Sequence, residues 1–180
     1  MVRNTSSPGK LSFASSLQVY VDGFELGTAV GDMDGDGKKD IVSVFSTLTD
    51  TRFSYYKNTS TPGAISFAPR VDKVLNFASR PVWGDLALAD YDGDNKLDAI
   101  LFADRKSYFF RNTSTMGTFS LDEPVIYPID GTSRDYTIDN FNGDASPDLL
   151  IGSTGADSYG LYKNSSVPGS MLTDPAFARF

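Results

Sequence analysis

The chain has no cysteine and no histidine. Disulfides, thiolate zinc sites, cysteine nucleophiles and histidine acid–base relays are therefore excluded, and the chemistry that remains is that of oxygen ligands. Glutamate is nearly missing: Glu25 and Glu123 are the two, so 21 of the 23 acidic residues are aspartate. No apolar run reaches the roughly 18 residues that a membrane-spanning helix needs. No basic stripe offsets the net charge of −7, which argues against nucleic acid as a partner. The start, MVRNTSSPGKLSF, lacks a charged segment followed by an apolar stretch and a small-residue cleavage site, so no signal peptide is expected there. It reads instead like the middle of a repeat. The missing cysteines leave the redox compartment open.

What is present is a repeat. One turn occurs four times, as NTSSPG from Asn4, NTSTPG from Asn58, NTSTMG from Asn112 and NSSVPG from Asn164, at spacings of 54, 54 and 52 residues. Between the turns lie three acidic loops: DMDGDGKKD from Asp32, DYDGDNKLD from Asp90 and NFNGDASPD from Asn140. A β-branched, apolar run leaves each loop (DIVSVFS, DAILFA, DLLIGS), and an aromatic run follows (RFSYYKN, KSYFFRN, YGLYKN). A further strand precedes each acidic loop, and another lies beyond each Asn-Thr-Ser turn, within GAISFAPRV and GTFSLDEPVIY. Four short antiparallel strands in about 50 residues make a propeller blade. The expectation is an all-β chain, a β-propeller segment of three four-stranded antiparallel blades. Residues 1–26 then form a partial blade or outer strands, and 27–76, 77–130 and 131–180 form the blades. Three blades do not close a ring that typically takes 4 to 8. Closure as a six-bladed homodimer, or as part of a larger propeller, is expected, because an open stack leaves two apolar blade faces uncovered.

The acidic loops carry the candidate site. Short carboxylates two residues apart in a tightly wound loop present oxygen to one centre, which is what a hard cation requires. In the first loop the candidate ligands are Asp32, Asp34, Asp36 and Asp40, with the backbone carbonyl of Lys38 at position seven. In the second they are Asp90, Asp92, Asp94 and Asp98, with the carbonyl of Lys96. The third offers Asn140, Asn142, Asp144 and Asp148 around Ser146, has two carboxylates, and places Ala145 where glycine or asparagine would ease the turn. Lower affinity is expected there. Calcium suits this oxygen set better than magnesium, which needs a compact octahedron, or zinc, which prefers nitrogen and sulfur. A helical EF-hand does not match, because position twelve is Ser43, Leu101 or Ile151 rather than glutamate.

DMDGDGKKDIV, DYDGDNKLDAI and NFNGDASPDLL resemble the D-x-D-G-D-G-x-x-D-hydrophobic calcium loops of the FG-GAP and VCBS repeats, the blades of integrin-like propellers. The turns NTSTPGAISFAP and NTSSPGKLSFA also resemble linker segments of bacterial VCBS-repeat proteins. The resemblance implies a calcium-binding propeller that is extracellular or at the cell surface. It further implies a role in adhesion or in binding carbohydrate or protein, or as an accessory domain on a larger surface protein; a non-catalytic part of a polysaccharide-active enzyme is an alternative. A purely architectural, self-assembling propeller is the other reading. No catalysis is expected: Asp85, Asp104, Asp135 and Asp157 lie outside the loops with no recurring partner, and no histidine is available to serve a serine or threonine nucleophile. The four turn asparagines satisfy the N-x-S/T pattern for glycosylation, but caps of a turn are the better reading. The aromatics Tyr55, Tyr56, Tyr108, Phe109, Phe110 and Tyr162 are assigned to packing between blades. Trp83 interrupts the repeat and is assigned to packing in preference to a ligand contact.

Overall fold

The computed structural model describes residues 2–16, 18, 20–77, 81, 83–129, 132–154 and 158–171. Among these residues there is no helix, and the strands form three antiparallel sheets. The first sheet contains β1 (Phe24–Gly31), β2 (Asp40–Ser46), β3 (Thr51–Tyr56) and β4 (Val71–Leu75), in that order. The second repeats the meander with β5 (Gly84–Ala89), β6 (Asp98–Ala103), β7 (Lys106–Phe110) and β8 (Val125–Pro128). The third has β9 (Thr132–Asp139), β10 (Asp148–Thr154) and β11 (Ser158–Tyr162). The fourth strand expected for this sheet lies outside the described residues. The all-β reading, with strands leading into and out of each acidic loop, is what the structure has. The run GAISFAPRV is divided: Ala64 and Phe67 belong to a bridged hairpin, and the strand proper starts at Val71.

Side-chain alternation builds the stack. On β6, Ala99, Leu101 and Ala103 pack with Val42, Val44 and Phe53 of the first sheet. Ile100 and Phe102, the intervening residues, pack with Leu149 and Ile151 of the third. Period-two alternation puts successive residues on opposite faces, so a strand between two sheets must be apolar on both; beyond Asp98 at its loop end DAILFA is, and all six residues are buried. The aromatic run behaves the same way. Tyr108 and Phe110 face the first sheet and Phe109 the third. Tyr55 and Tyr56 are buried as well. Each large side chain so covered contributes about 1.5–3 kcal/mol. Rings lock the layers: Tyr55 stacks on Phe119 with centroids 4.2 Å apart, and Phe102 on Tyr136 at 4.5 Å.

Where β1 approaches β5 the backbones come so close that a methyl group on Gly27 would lie 2.6 Å from the Leu86 nitrogen. Trp83 departs from the packing expected of it. It is 74% exposed and meets the edge of Phe24 at 6.5 Å.

The Asn-Thr-Ser turns are hairpins bridged between Asn58 and Phe67 and between Asn112 and Leu121, with the same pairing of Asn4 and Phe13 near the start. Each asparagine caps its own turn, Oδ1 accepting from the backbone N–H two residues on: Ser6 at 2.8 Å, Ser60 at 2.8 Å, Ser114 at 2.9 Å and Ser166 at 2.8 Å.

Candidate metal centre

The acidic loops sit at one rim, between the first and second strands of each sheet. In the first, the backbone winds round Asp32, whose Oδ1 accepts from Gly35 and Asp36 N–H at 2.9 and 3.2 Å and whose Oδ2 accepts from Gly37 N–H at 2.8 Å. The residue at position six takes a left-handed backbone in all three loops, with φ of 85° at Gly37, 67° at Asn95 and 74° at Ala145.

The winding brings carboxylates together. Oxygens of Asp32, Asp34 and Asp40 lie within 4.8 Å of one another, as do those of Asp90, Asp92 and Asp98, and each trio could hold a metal ion. The carboxylates at position nine are the most deeply placed, with Asp40, Asp98 and Asp148 at 0, 0 and 1% exposure. They also tie the blade together. Asp40 accepts from Met33 N–H at 3.0 Å and Asn58 N–H at 2.8 Å; Asp98 accepts from Tyr91 N–H at 2.9 Å and Asn112 N–H at 2.8 Å. Asp148 does the same with Phe141 at 3.2 Å and Asn164 at 2.8 Å. Burial pushes the Asp98 carboxyl up to about 6 against the pull of these N–H groups, and raises that of Asp40, with the neighbouring Asp34 charge adding to the effect.

Position five is directed elsewhere. Asp36 Oδ2 lies 2.8 Å from Lys57 Nζ, which also contacts Asp34, and Asp94 Oδ2 lies 3.0 Å from Arg111 Nη2. The Lys57 ammonium lowers the Asp36 carboxyl. Burial alone would raise Asp92, but the Arg111 guanidinium, 2.7 Å away, and the N–H of Gly169 bring it below its ordinary value. At position seven the backbone N–H of Lys38, Lys96 and Ser146 donates to the position-five Oδ1 at 2.9, 3.0 and 3.1 Å. The third loop holds fewer charges. Asn140 Oδ1 accepts from Gly143 N–H at 2.7 Å, and Asn142 Nδ2 donates to Asp144 Oδ2 at 2.9 Å.

The donor set fits a hard divalent cation, since every candidate ligand atom is oxygen. Two orphaned groups support the fit. Asp90 Oδ1 is buried with no hydrogen-bond partner. The buried Tyr55 hydroxyl likewise has no well-aligned partner, although it stands beside Asp34 and Asp40 closely enough for burial and their charges to push its phenol up. A cleft of about 550 Å³, lined by Asp32, Asp34, Asn112 and Ser114 among others, opens beside the first trio.

Residues 32–101, which contain the first two loops and the strands between them, match the model of the FG-GAP-like repeat. Over this stretch the chain is similar to the FG-GAP-like repeat. Within the matched residues fall both aspartate trios. No curated protein matches the chain.

Sequence reasoning missed two parts of the site. One is the basic residue, Lys57, Arg111 or Lys163, beside each loop. Its signal was available: Arg3, Lys57, Arg111 and Lys163 each immediately precede a turn asparagine. The other is the reach of the turn to a neighbouring loop. Asn112 Nδ2 donates to Leu97 O of its own blade and to Met33 O of the preceding loop, both at 2.9 Å. Asn164 Nδ2 joins Pro147 O at 3.0 Å and Tyr91 O at 2.7 Å. The backbone N–H groups of Gly117 and Gly169 reach the same preceding loops, at Asp34 O (3.1 Å) and Asp92 Oδ2 (2.9 Å). Asn112 and Asn164 are 1 and 2% exposed, so a glycan on either amide nitrogen is incompatible with this packing. Of the acids considered for catalysis, Asp85 accepts from Leu86 N–H at 2.8 Å, Asp104 lies in the β6–β7 turn with φ of 52°, and Asp135 pairs with Gly152. Asp157 lies outside the described residues.

Proposed function

We propose that the chain is a calcium-binding propeller module, with one ion at each of the first two loops and a weaker one at the third, serving as an extracellular scaffold for carbohydrate or protein ligands. The observation that carries the reading is the recurrence, at one phase, of two aspartate trios, each with two members buried and one half-buried, in the stretch similar to the FG-GAP-like repeat. One such cluster is a common surface feature; two in matching frames, one of them with an unpartnered buried oxygen, call for a shared cation. An ion there would supply the positive charge that sets off mutual repulsion among Asp32, Asp34 and Asp40, or among Asp90, Asp92 and Asp98. The residues themselves do the rest. Position nine fixes the loop to the following turn, position one organises the winding, and the carbonyls of Lys38, Lys96 and Ser146 complete the oxygen shell. The low charge of the third loop, with Asp144 and Asp148 as its carboxylates, predicts the weaker affinity. A dissociation constant of about 0.1–1 mM, the range of extracellular calcium modules, suits loops of this type.

No catalytic role is assigned to the segment. The propeller closes with further blades, from a second copy or a longer chain, because three blades fall short of a ring.

Thermal unfolding with and without chelator, together with terbium luminescence sensitised by the nearby tyrosines, tests the reading. Calcium is expected to raise the Tm, by mass action on the folded state, and terbium is expected to emit. An unchanged Tm with dark terbium overturns it. A glycan array reads out the ligand class, and light scattering reads out closure.

A further inference from the structure

Each loop of the chain has a protein cation beside it. Lys57 Nζ contacts Asp34 Oδ2 and lies 2.8 Å from Asp36 Oδ2. In the next blade Arg111 Nε lies 2.7 Å from Asp92 Oδ2 and Nη2 lies 3.0 Å from Asp94 Oδ2. In the third, Lys163 Nζ is 3.6 Å from Asp144 Oδ2, with both side chains well exposed. The same two ligand positions, three and five, are engaged each time in the first two blades, and through the same Oδ2 atoms. The other oxygen of each carboxylate is committed to the loop backbone: Asp34 Oδ1 to Asp36 N–H at 3.2 Å, Asp36 Oδ1 to Lys38 N–H at 2.9 Å, Asp92 Oδ1 to Asp94 N–H at 3.1 Å and Asp94 Oδ1 to Lys96 N–H at 3.0 Å.

The geometry points to Lys57 and Arg111 as built-in counter-ions that set the calcium affinity of the first and second loops, an inference that rests on the calcium reading above. The protein cation and a metal ion share one set of carboxylates. A dication recruiting Asp36 or Asp94 takes an oxygen that the basic side chain holds, and the two positive charges repel at short range. Two neutralising partners are therefore available to each loop, and the fold is kept from depending wholly on the metal. Arg111 holds its two carboxylates as a planar fork through separate nitrogens, whereas Lys57 offers a single ammonium on a flexible stem. The fork is the harder to displace, so the second loop needs more calcium than its three-carboxylate trio alone implies. At the third loop, where the contact is longest and the carboxylates fewest, charge number rather than competition limits binding.

The test is calorimetric titration of the full-length chain with calcium chloride, and its melting in chelator, for the parent and for Lys57→Met, Arg111→Met and the charge-retaining Lys57→Arg. Removal of either charge is expected to tighten one site about tenfold or more and to lower the metal-free Tm, whereas Lys57→Arg, which keeps the charge, is expected to bind calcium no more tightly than the parent. Addition of Asp32→Asn to Lys57→Met is expected to abolish the tightened site, which assigns it to the first loop. Methionine variants that stay folded and bind calcium no more tightly than the parent overturn the counter-ion role and leave the calcium reading standing. Failure of every protein, the parent included, to take up calcium overturns the calcium reading itself. If the methionine variants do not fold in chelator, Arg111→Lys carries the test. It keeps the charge and loses the fork, and its affinity is expected to rise by a smaller factor; an affinity equal to the parent's then overturns the role.

Discussion

Replacement of Asn112 by alanine should destabilise the chain far more than the same change at Asn58, although the two residues occupy equivalent places in the repeat. Asn112 is 1% exposed, and its amide makes three hydrogen bonds, to Met33 O, Leu97 O and Ser114 N–H, each 2.9 Å long. Truncation leaves two carbonyls and one N–H buried without partners. At about 1 kcal/mol for each net bond, and more where the stranded group stays dry, the loss is about 3–4 kcal/mol. Asn58 is half-buried and donates to a single carbonyl, Lys39 O at 2.9 Å, so water can replace what is lost and the cost is about 1 kcal/mol. The difference of about 2–3 kcal/mol corresponds to a factor of roughly 30–150 in the unfolding equilibrium. Urea unfolding followed by tyrosine fluorescence measures it, provided that the m-value is common to parent and variants, as a shared two-state transition requires. Asn164, with Tyr91 O and Pro147 O as its two acceptors, should behave like Asn112. Equal losses at positions 58 and 112 would refute the reasoning, because the turn cap common to both would then account for the whole effect.

Two further changes test the backbone. Ala145 holds a φ of 74°, a region that costs an L-residue about 1 kcal/mol, so Ala145→Gly is expected to raise stability by about 0.5–1 kcal/mol, and a lower Tm would contradict the assignment. Gly27→Ala would drive a methyl group to 2.6 Å from the Leu86 backbone nitrogen, and a loss of about 1–3 kcal/mol by denaturant unfolding is expected, with a neutral result showing that β1 and β5 are not so closely apposed.

The sheets were legible because their residues leave little choice. Beyond Asp98, DAILFA has no polar face, so it belongs between two layers, and the Asn-Thr-Ser turn with glycine at its tip fixes where the chain reverses. The aspartate trios were legible from spacing alone. Asp36 and Asp94, though correctly placed in the loops, lie against Lys57 and Arg111, and this pairing depends on where a side chain one sheet edge away happens to reach. The inter-blade bonds of Asn112 and Asn164 were hidden for a related reason. Local sequence accounts fully for an asparagine that caps its own turn, and nothing in a single repeat indicates that its amide nitrogen has a second duty next door. Trp83 was misjudged because size and apolarity favour burial on average, whereas its position ahead of β5 leaves it facing outward.

The link from each turn to the loop before it redefines what a complete repeat is. A fragment cut at the edges of one sheet would leave the Met33 or Tyr91 carbonyl without its donor, and its asparagine with one of two acceptors missing. The smallest self-consistent module therefore straddles two neighbouring sheets. Arrays shortened or lengthened in the laboratory should keep every acidic loop together with the turn that follows one blade later.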